Sequence, residues 1–74
     1  FVMYPNPSSG IVNFKLLSEK GFDLEVYDAQ GKSLISLNHQ PAGLALDFSN
    51  YPKGIYLVRM TKGELVLTKK LIIN

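Results

Sequence analysis

Apolar and polar residues alternate with period two along most of this chain, and no window of helical length carries an apolar stripe repeating every 3.6 residues. A strand buries every second side chain and a helix every third or fourth, so the pattern commits the chain to half-buried strands. Val12, Phe14 and Leu16 alternate with Asn13 and Lys15, and Phe22, Leu24 and Val26 alternate with Asp23, Glu25 and Tyr27. The same phase turns Leu44, Leu46 and Phe48 inward against Ala45 and Asp47, and Tyr56, Val58 and Met60 inward against Leu57, Arg59 and Thr61. Leu34, Ile35 and Leu37 make a shorter strand with a less decided phase.

The punctuation between these segments is uniform. Asp28-Ala29-Gln30-Gly31, Gln40-Pro41-Ala42-Gly43 and Tyr51-Pro52-Lys53-Gly54 all close on glycine, which tolerates the backbone geometry that ends a tight turn. Lys62-Gly63 separates two β-rich runs by two residues, which predicts a hairpin joining 55–61 to 64–72. At the start, Pro5 and Pro7 lack amide donors and Asn6 is pushed towards extended geometry. A stiff edge strand leading into a turn at Gly10 is therefore predicted. The sum is about seven short strands with essentially no helix, the spacing of an all-β antiparallel sandwich or barrel.

With 74 residues the chain has room for one domain, 1–74, which buries only about 60% of its unfolded surface. Its 46% hydrophobic and 19% charged residues suffice for a packed core, while zero cysteines remove any disulfide or thiolate metal site. The net charge of +2 comes from basic residues scattered over the whole length, which argues against a nucleic-acid stripe. No aliphatic run, Leu71-Ile72-Ile73 included, comes near the roughly 20 residues that cross a bilayer as a helix. Because the sequence opens on Phe1, it is expected to be a fragment of a larger protein.

Reactive candidates are sparse. His39 is the sole histidine and lies in a polar loop between a strand and a proline turn, where an exposed loop residue is the plainer reading than a ligand or base. Asp23 and Glu25 share a strand face, as wet-face carboxylates in sandwiches routinely do. Gly31 and Gly54 precede no helix, so they turn the chain rather than cradle phosphate. Asn6-Pro7-Ser8 is a glycosylation sequon spoiled by its central proline. Tyr4, Tyr27, Tyr51 and Tyr56 would form a platform for sugars or peptides if they met on one face, but Tyr56 reads as core and Tyr27 as a cross-strand partner. The set implies no enzyme, no cofactor and no small-molecule substrate.

The segment from Glu64 to Asn74 is different. Leu65 and Leu67 hold one phase, Leu71, Ile72 and Ile73 are apolar in both, and Lys69-Lys70 places two charges on opposite faces. Such lysines either guard an exposed edge against aggregation or mark where a partner adds a strand or grips them.

Taken together, Tyr4-Pro5-Asn6-Pro7-Ser8-Ser9-Gly10, Val26-Tyr27-Asp28 with Gly31-Lys32, Lys53-Gly54-Ile55-Tyr56-Leu57-Val58 and Lys69-Lys70-Leu71-Ile72-Ile73 resemble a type A carboxyl-terminal sorting domain of the type IX, or Por, secretion system of Bacteroidetes. The likeness covers essentially the whole chain. It implies an immunoglobulin-like sandwich at the end of a secreted protein, joined to an N-terminal cargo domain. Outer-membrane translocation and sortase components would recognise it, remove it at or before Phe1, and leave the cargo secreted or on the cell surface after passage through the periplasm. On this likeness Lys69, Lys70, Leu71, Ile72 and Ile73 carry recognition, while Pro5, Asn6, Pro7, Gly10, Gly31, Gly54 and Tyr56 carry the structural motifs. Tyr51 stands where members commonly have Leu, and the chain ends in Asn74 where many carry a basic residue. A fibronectin-like accessory module binding carbohydrate or protein is the alternative reading of the same pattern.

Overall fold

The computed structural model describes residues 1–15, 21–41 and 43–74. Seven strands form within them: β1 Val2–Tyr4, β2 Ile11–Lys15, β3 Phe22–Tyr27, β4 Ser33–Gln40, β5 Gly43–Asp47, β6 Gly54–Lys62 and β7 Leu65–Ile73. None of the described residues is helical. One sheet has the order β1-β2-β5 and the other β4-β3-β6-β7, with every neighbouring pair antiparallel. The chain crosses between sheets after β2, β4 and β5, whereas β3–β4 and β6–β7 are hairpins. These crossings stack the sheets into a two-layer sandwich of the immunoglobulin-like kind, with extents of 31 × 22 × 16 Å.

Alternation decides what lies between the layers. Val12 and Phe14 of β2, Leu24 and Val26 of β3, and Val58 and Met60 of β6 are all buried, while their sequence neighbours face water or the sheet rim. Leu44 and Leu46 follow the expected phase but are only partly buried, because β5 is the outer strand of the narrower sheet. Phe48 is fully buried although it lies one residue beyond β5. There its amide donates to the Gly10 carbonyl at 3.0 Å and its ring packs against Tyr51 and Tyr56, with centroids 5.5 and 6.0 Å away. The Tyr56 hydroxyl donates to the Pro52 carbonyl four residues upstream, closing the corner between β5 and β6 in the manner of the tyrosine corner of immunoglobulin-type sandwiches. Burial pushes the Tyr56 phenol pKa up.

The turns form through side chains as well as glycines. Asp28 Oδ1 accepts the amides of Gln30 and Lys32 at 3.0 and 2.9 Å, while Gly31, at φ +87°, supplies the positive dihedral that lets the chain re-enter β4.

Three expectations need correction. The tight hairpin is displaced by one residue: Lys62 pairs with Leu65, so the connecting residues are Gly63 and Glu64. Gly63 alone has positive φ, +59°, the dihedral required at the first central position of a type II′ turn. The segment around Leu34 is a full eight-residue strand with register shifts, which explains its blurred periodicity. The proline-led opening is not an extended edge strand: β1 stops at Tyr4, both X–Pro bonds are cis, and the chain leaves its sheet at Pro5. Proline cannot donate to the ladder, so pairing ends where the prolines begin. Leu16 and Ala42 lie outside the described residues.

Candidate recognition site

β7 is the outer strand of the four-stranded sheet, and its antiparallel register with β6 runs from Lys62↔Leu65 to Gly54↔Ile73. Odd-numbered residues of β7 share a face with Tyr56, Val58 and Met60, the core face. Even-numbered ones lie on the outer surface. Leu71 and Ile73 are therefore buried, at 0% and 4% exposure, whereas Ile72 beside Ile55 is half-buried on the outer face. The doubled apolar phase of Leu71-Ile72-Ile73 thus splits between the core and the outer surface.

The two lysines separate as the alternation requires. Lys69 sits on the core-side rim opposite Val58, where its ammonium donates to the Phe1 carbonyl at 2.5 Å and lies 4.9 Å from the centre of the Phe1 ring. An inward-pointing charge at the sandwich edge is one way proteins blunt strand pairing. Lys70 projects from the outer face opposite Leu57.

The proline-bracketed segment covers the edge of this same strand. Asn6 Nδ2 donates to the Lys70 carbonyl at 2.9 Å, and Asn6 Oδ1 accepts the Ile72 amide at 3.0 Å. Ser8 continues the cover as a parallel bridge to Ile73: its amide donates to the Ile72 carbonyl at 2.9 Å and its carbonyl accepts the Asn74 amide at 2.8 Å. The Ser8 side chain, with the residue only 3% exposed, donates to the Ile11 carbonyl and accepts the Gly10 amide. A carboxamide carries both a donor and an acceptor, so Asn6 replaces the strand residue that two prolines cannot supply. The motifs at the two ends of the chain are therefore one structure. Sequence reasoning placed both motifs but missed their contact; the signal was a two-way hydrogen-bonding side chain held between residues without amides.

Beyond the covered stretch, the main-chain groups of Val66 and Thr68 point away from β6 by the same alternation, and no hydrogen bond among the described residues reaches them.

On the outer face, next to Leu57, Tyr27 donates to Glu25 Oε2 at 2.7 Å and Arg59 pairs with Glu25 Oε1 at 3.2 Å. The Arg59 guanidinium also lies 5.5 Å from the Tyr27 ring centre. The Tyr27 hydroxyl and then Arg59 hold the Glu25 carboxyl below the usual range, and the bond to Glu25 pushes the Tyr27 phenol up.

The other candidates do not assemble into a site among the described residues. Asp23 Oδ1 accepts the amide of His39, an exposed residue at φ +54°, so Asp23 holds the β4 bulge and is not paired with Glu25. Among the described residues no group of three His, Asp or Glu side chains is placed to hold a metal. The tyrosines do not converge: Tyr51 and Tyr56 flank Phe48, Tyr27 lies on the outer face and Tyr4 is exposed on β1.

The described residues thus form a two-layer sandwich whose two end motifs meet along one edge strand. The family model described as the secretion system C-terminal sorting domain matches residues 2–74, and the chain belongs to that family, the carboxyl-terminal sorting signals of type IX secretion. Comparison with curated proteins found no match. Membership associates the chain with the type IX machinery and an N-terminal cargo region, and implies export across the outer membrane to the cell surface or beyond. Such signal domains are generally non-catalytic.

Proposed function

We propose that residues 1–74 are a single folded sorting domain that catalyses nothing and is read in its folded form by the translocation and sortase components of a Bacteroidetes outer membrane. A sortase-like peptidase then removes it upstream of β1. The observation that carries this reading is the junction of the two end motifs: Asn6 and Ser8 hold the strand bearing Lys69–Ile73 in one fixed arrangement. A receptor therefore meets a rigid surface, not a flexible tail.

The test fuses residues 1–74 behind a fluorescent passenger in a host with a working type IX system. Passenger in the medium or on the surface, with the domain cleaved off, is the expected result; passenger retained in the periplasm overturns the reading. Deleting residues 70–74 is a poor control, since it removes Leu71 and Ile73 from the core and confounds recognition with unfolding. Replacing Lys69 and Lys70 with Ala keeps the apolar interior whole, and is expected to lower export with far-ultraviolet circular dichroism and melting close to the parent.

A further inference from the structure

We propose that the surface read by the machinery is the outer face of the β6–β7 hairpin, centred on Lys70, Ile72, Ile55 and Leu57, and that its occupant is an apolar protein surface presenting a carboxylate to Lys70. This rests on the sorting reading above and names the part of the terminal strand that remains available to a partner. The buried side chains of Leu71 and Ile73 are out of reach of any receptor that leaves the domain folded. The main-chain edge from Lys70 to Asn74 is occupied by Asn6 and Ser8, which closes that stretch to strand addition. Lys69 points to the core-side rim and is engaged by Phe1. Of the terminal motif, only Lys70 and Ile72 place their side chains on the outer face.

The register sets these two in a larger patch. Ile72 lies beside Ile55, Lys70 beside Leu57, and Leu57 beside Tyr27 on its other flank. Ile55 is 49% and Leu57 40% exposed, on the same face of a strand whose inner residues are fully packed. Among the described residues of this face two cations stand out, and they differ: Arg59 is compensated by Glu25 at 3.2 Å, whereas Lys70 contacts no carboxylate. An uncompensated ammonium set among aliphatic side chains is complementary to an apolar surface carrying one acid. One such cation falls well short of the clusters of about four to eight that hold a domain on anionic lipid.

The experiment compares export of the fluorescent fusion carrying Lys70→Glu, Lys70→Gln, the double change Ile55→Ser with Leu57→Ser, and Thr68→Pro, each also purified for circular dichroism and melting. Thr68→Pro removes an outward amide and so blocks strand addition at the uncovered part of β7 while leaving the patch intact. Lys70→Glu is expected to cut export by about tenfold or more, because it sets like charges together, with Lys70→Gln intermediate. The double serine variant is expected to fail as Lys70→Glu does, and Thr68→Pro to export as the parent does. Should the serine pair melt below the parent, the two Lys70 variants carry the test. Parent-like export of the folded Lys70 variants, or loss of export confined to Thr68→Pro, overturns the face in favour of the edge. Cosedimentation of the purified domain with phosphatidylglycerol vesicles, lost in the serine variant, overturns the protein occupant in favour of a lipid one. A parent fusion that is never exported brings down the sorting reading itself, and this proposal with it.

Discussion

The two halves of β7 share one partner strand and one unbroken register, yet they are held in place by different means. From Leu71 to Ile73 the strand sends two side chains into the core and has its outer edge sealed by Asn6 and Ser8. From Leu65 to Thr68 it is exposed or half-buried, with Leu65 at 50% and Val66 at 52% exposure, and rests on the β6 ladder. Hydrogen-bond pairing alone therefore does not distinguish anchored from accessible strand. Burial and edge coverage do, and they place the anchored half where the terminal motif lies.

The largest expected effect tests that division directly. Leu71→Ala removes a fully buried side chain and is expected to cost about 2–5 kcal/mol, lowering the melting temperature by at least about 10 °C. Val66→Ala on the exposed half should stay within about 0.5 kcal/mol of the parent. Equal losses measured by thermal denaturation would erase the contrast between the halves.

Tyr56→Phe comes next. It deletes the hydroxyl that satisfies the Pro52 carbonyl beside the terminal strand's partner, and a loss of about 1 kcal/mol, or about 4–8 °C in melting, is expected. A parent-like melt would show that ring packing against Phe48 alone secures the corner.

Asn6→Ala sharpens the comparison at smaller cost, since its two bonds to β7 lie at an exposed edge. Stability should fall by about 1 kcal/mol or less, while hydrogen exchange of the Ile72 amide accelerates severalfold and that of Val58 does not. Unchanged protection at Ile72 would mean that Ser8 seals the edge without Asn6.

Acid produces the mildest effect. The Glu25 carboxyl is held low by Tyr27 and Arg59, and the Asp47 carboxyl by the Ser49 hydroxyl and amide. Folded-state values depressed below the unfolded ones give stability that is complete above the ordinary carboxylate range and lost as pH falls through the folded values. Melting temperature should thus decline below about pH 4, modestly and less so in high salt, because Asp47 is exposed and Glu25 is only half-buried. Glu25→Gln should flatten part of that decline, and an unaltered profile would assign the acid sensitivity elsewhere.

Much of this was legible from the residues alone. Inward phases at Val12, Phe14, Leu24, Val26, Val58 and Met60 follow from strict alternation, and glycines at 31 and 63 mark backbone positions that the turns require. Alternation gives Phe48 its inward phase but not its place one residue beyond β5, because periodicity shows which way a side chain points and not where the ladder ends. The hairpin register slipped by one residue for a related reason: Lys62 and Glu64 are equally polar, and only the dihedral at Gly63 decides which of them belongs to the turn. The candidate site was legible as two separate motifs, because each has its own local composition.

By itself, the sequence determined the all-strand character, the absence of a helical stripe and the segregation of Lys69 from Lys70, since all three depend on periods that adjacent residues set. The meeting of Asn6 with Ile72, 66 positions apart, was decided only in three dimensions. Nothing local to either motif encodes that distance: it arises when two sheets stack on a shared core and bring the segment after β1 against the outer edge of β7.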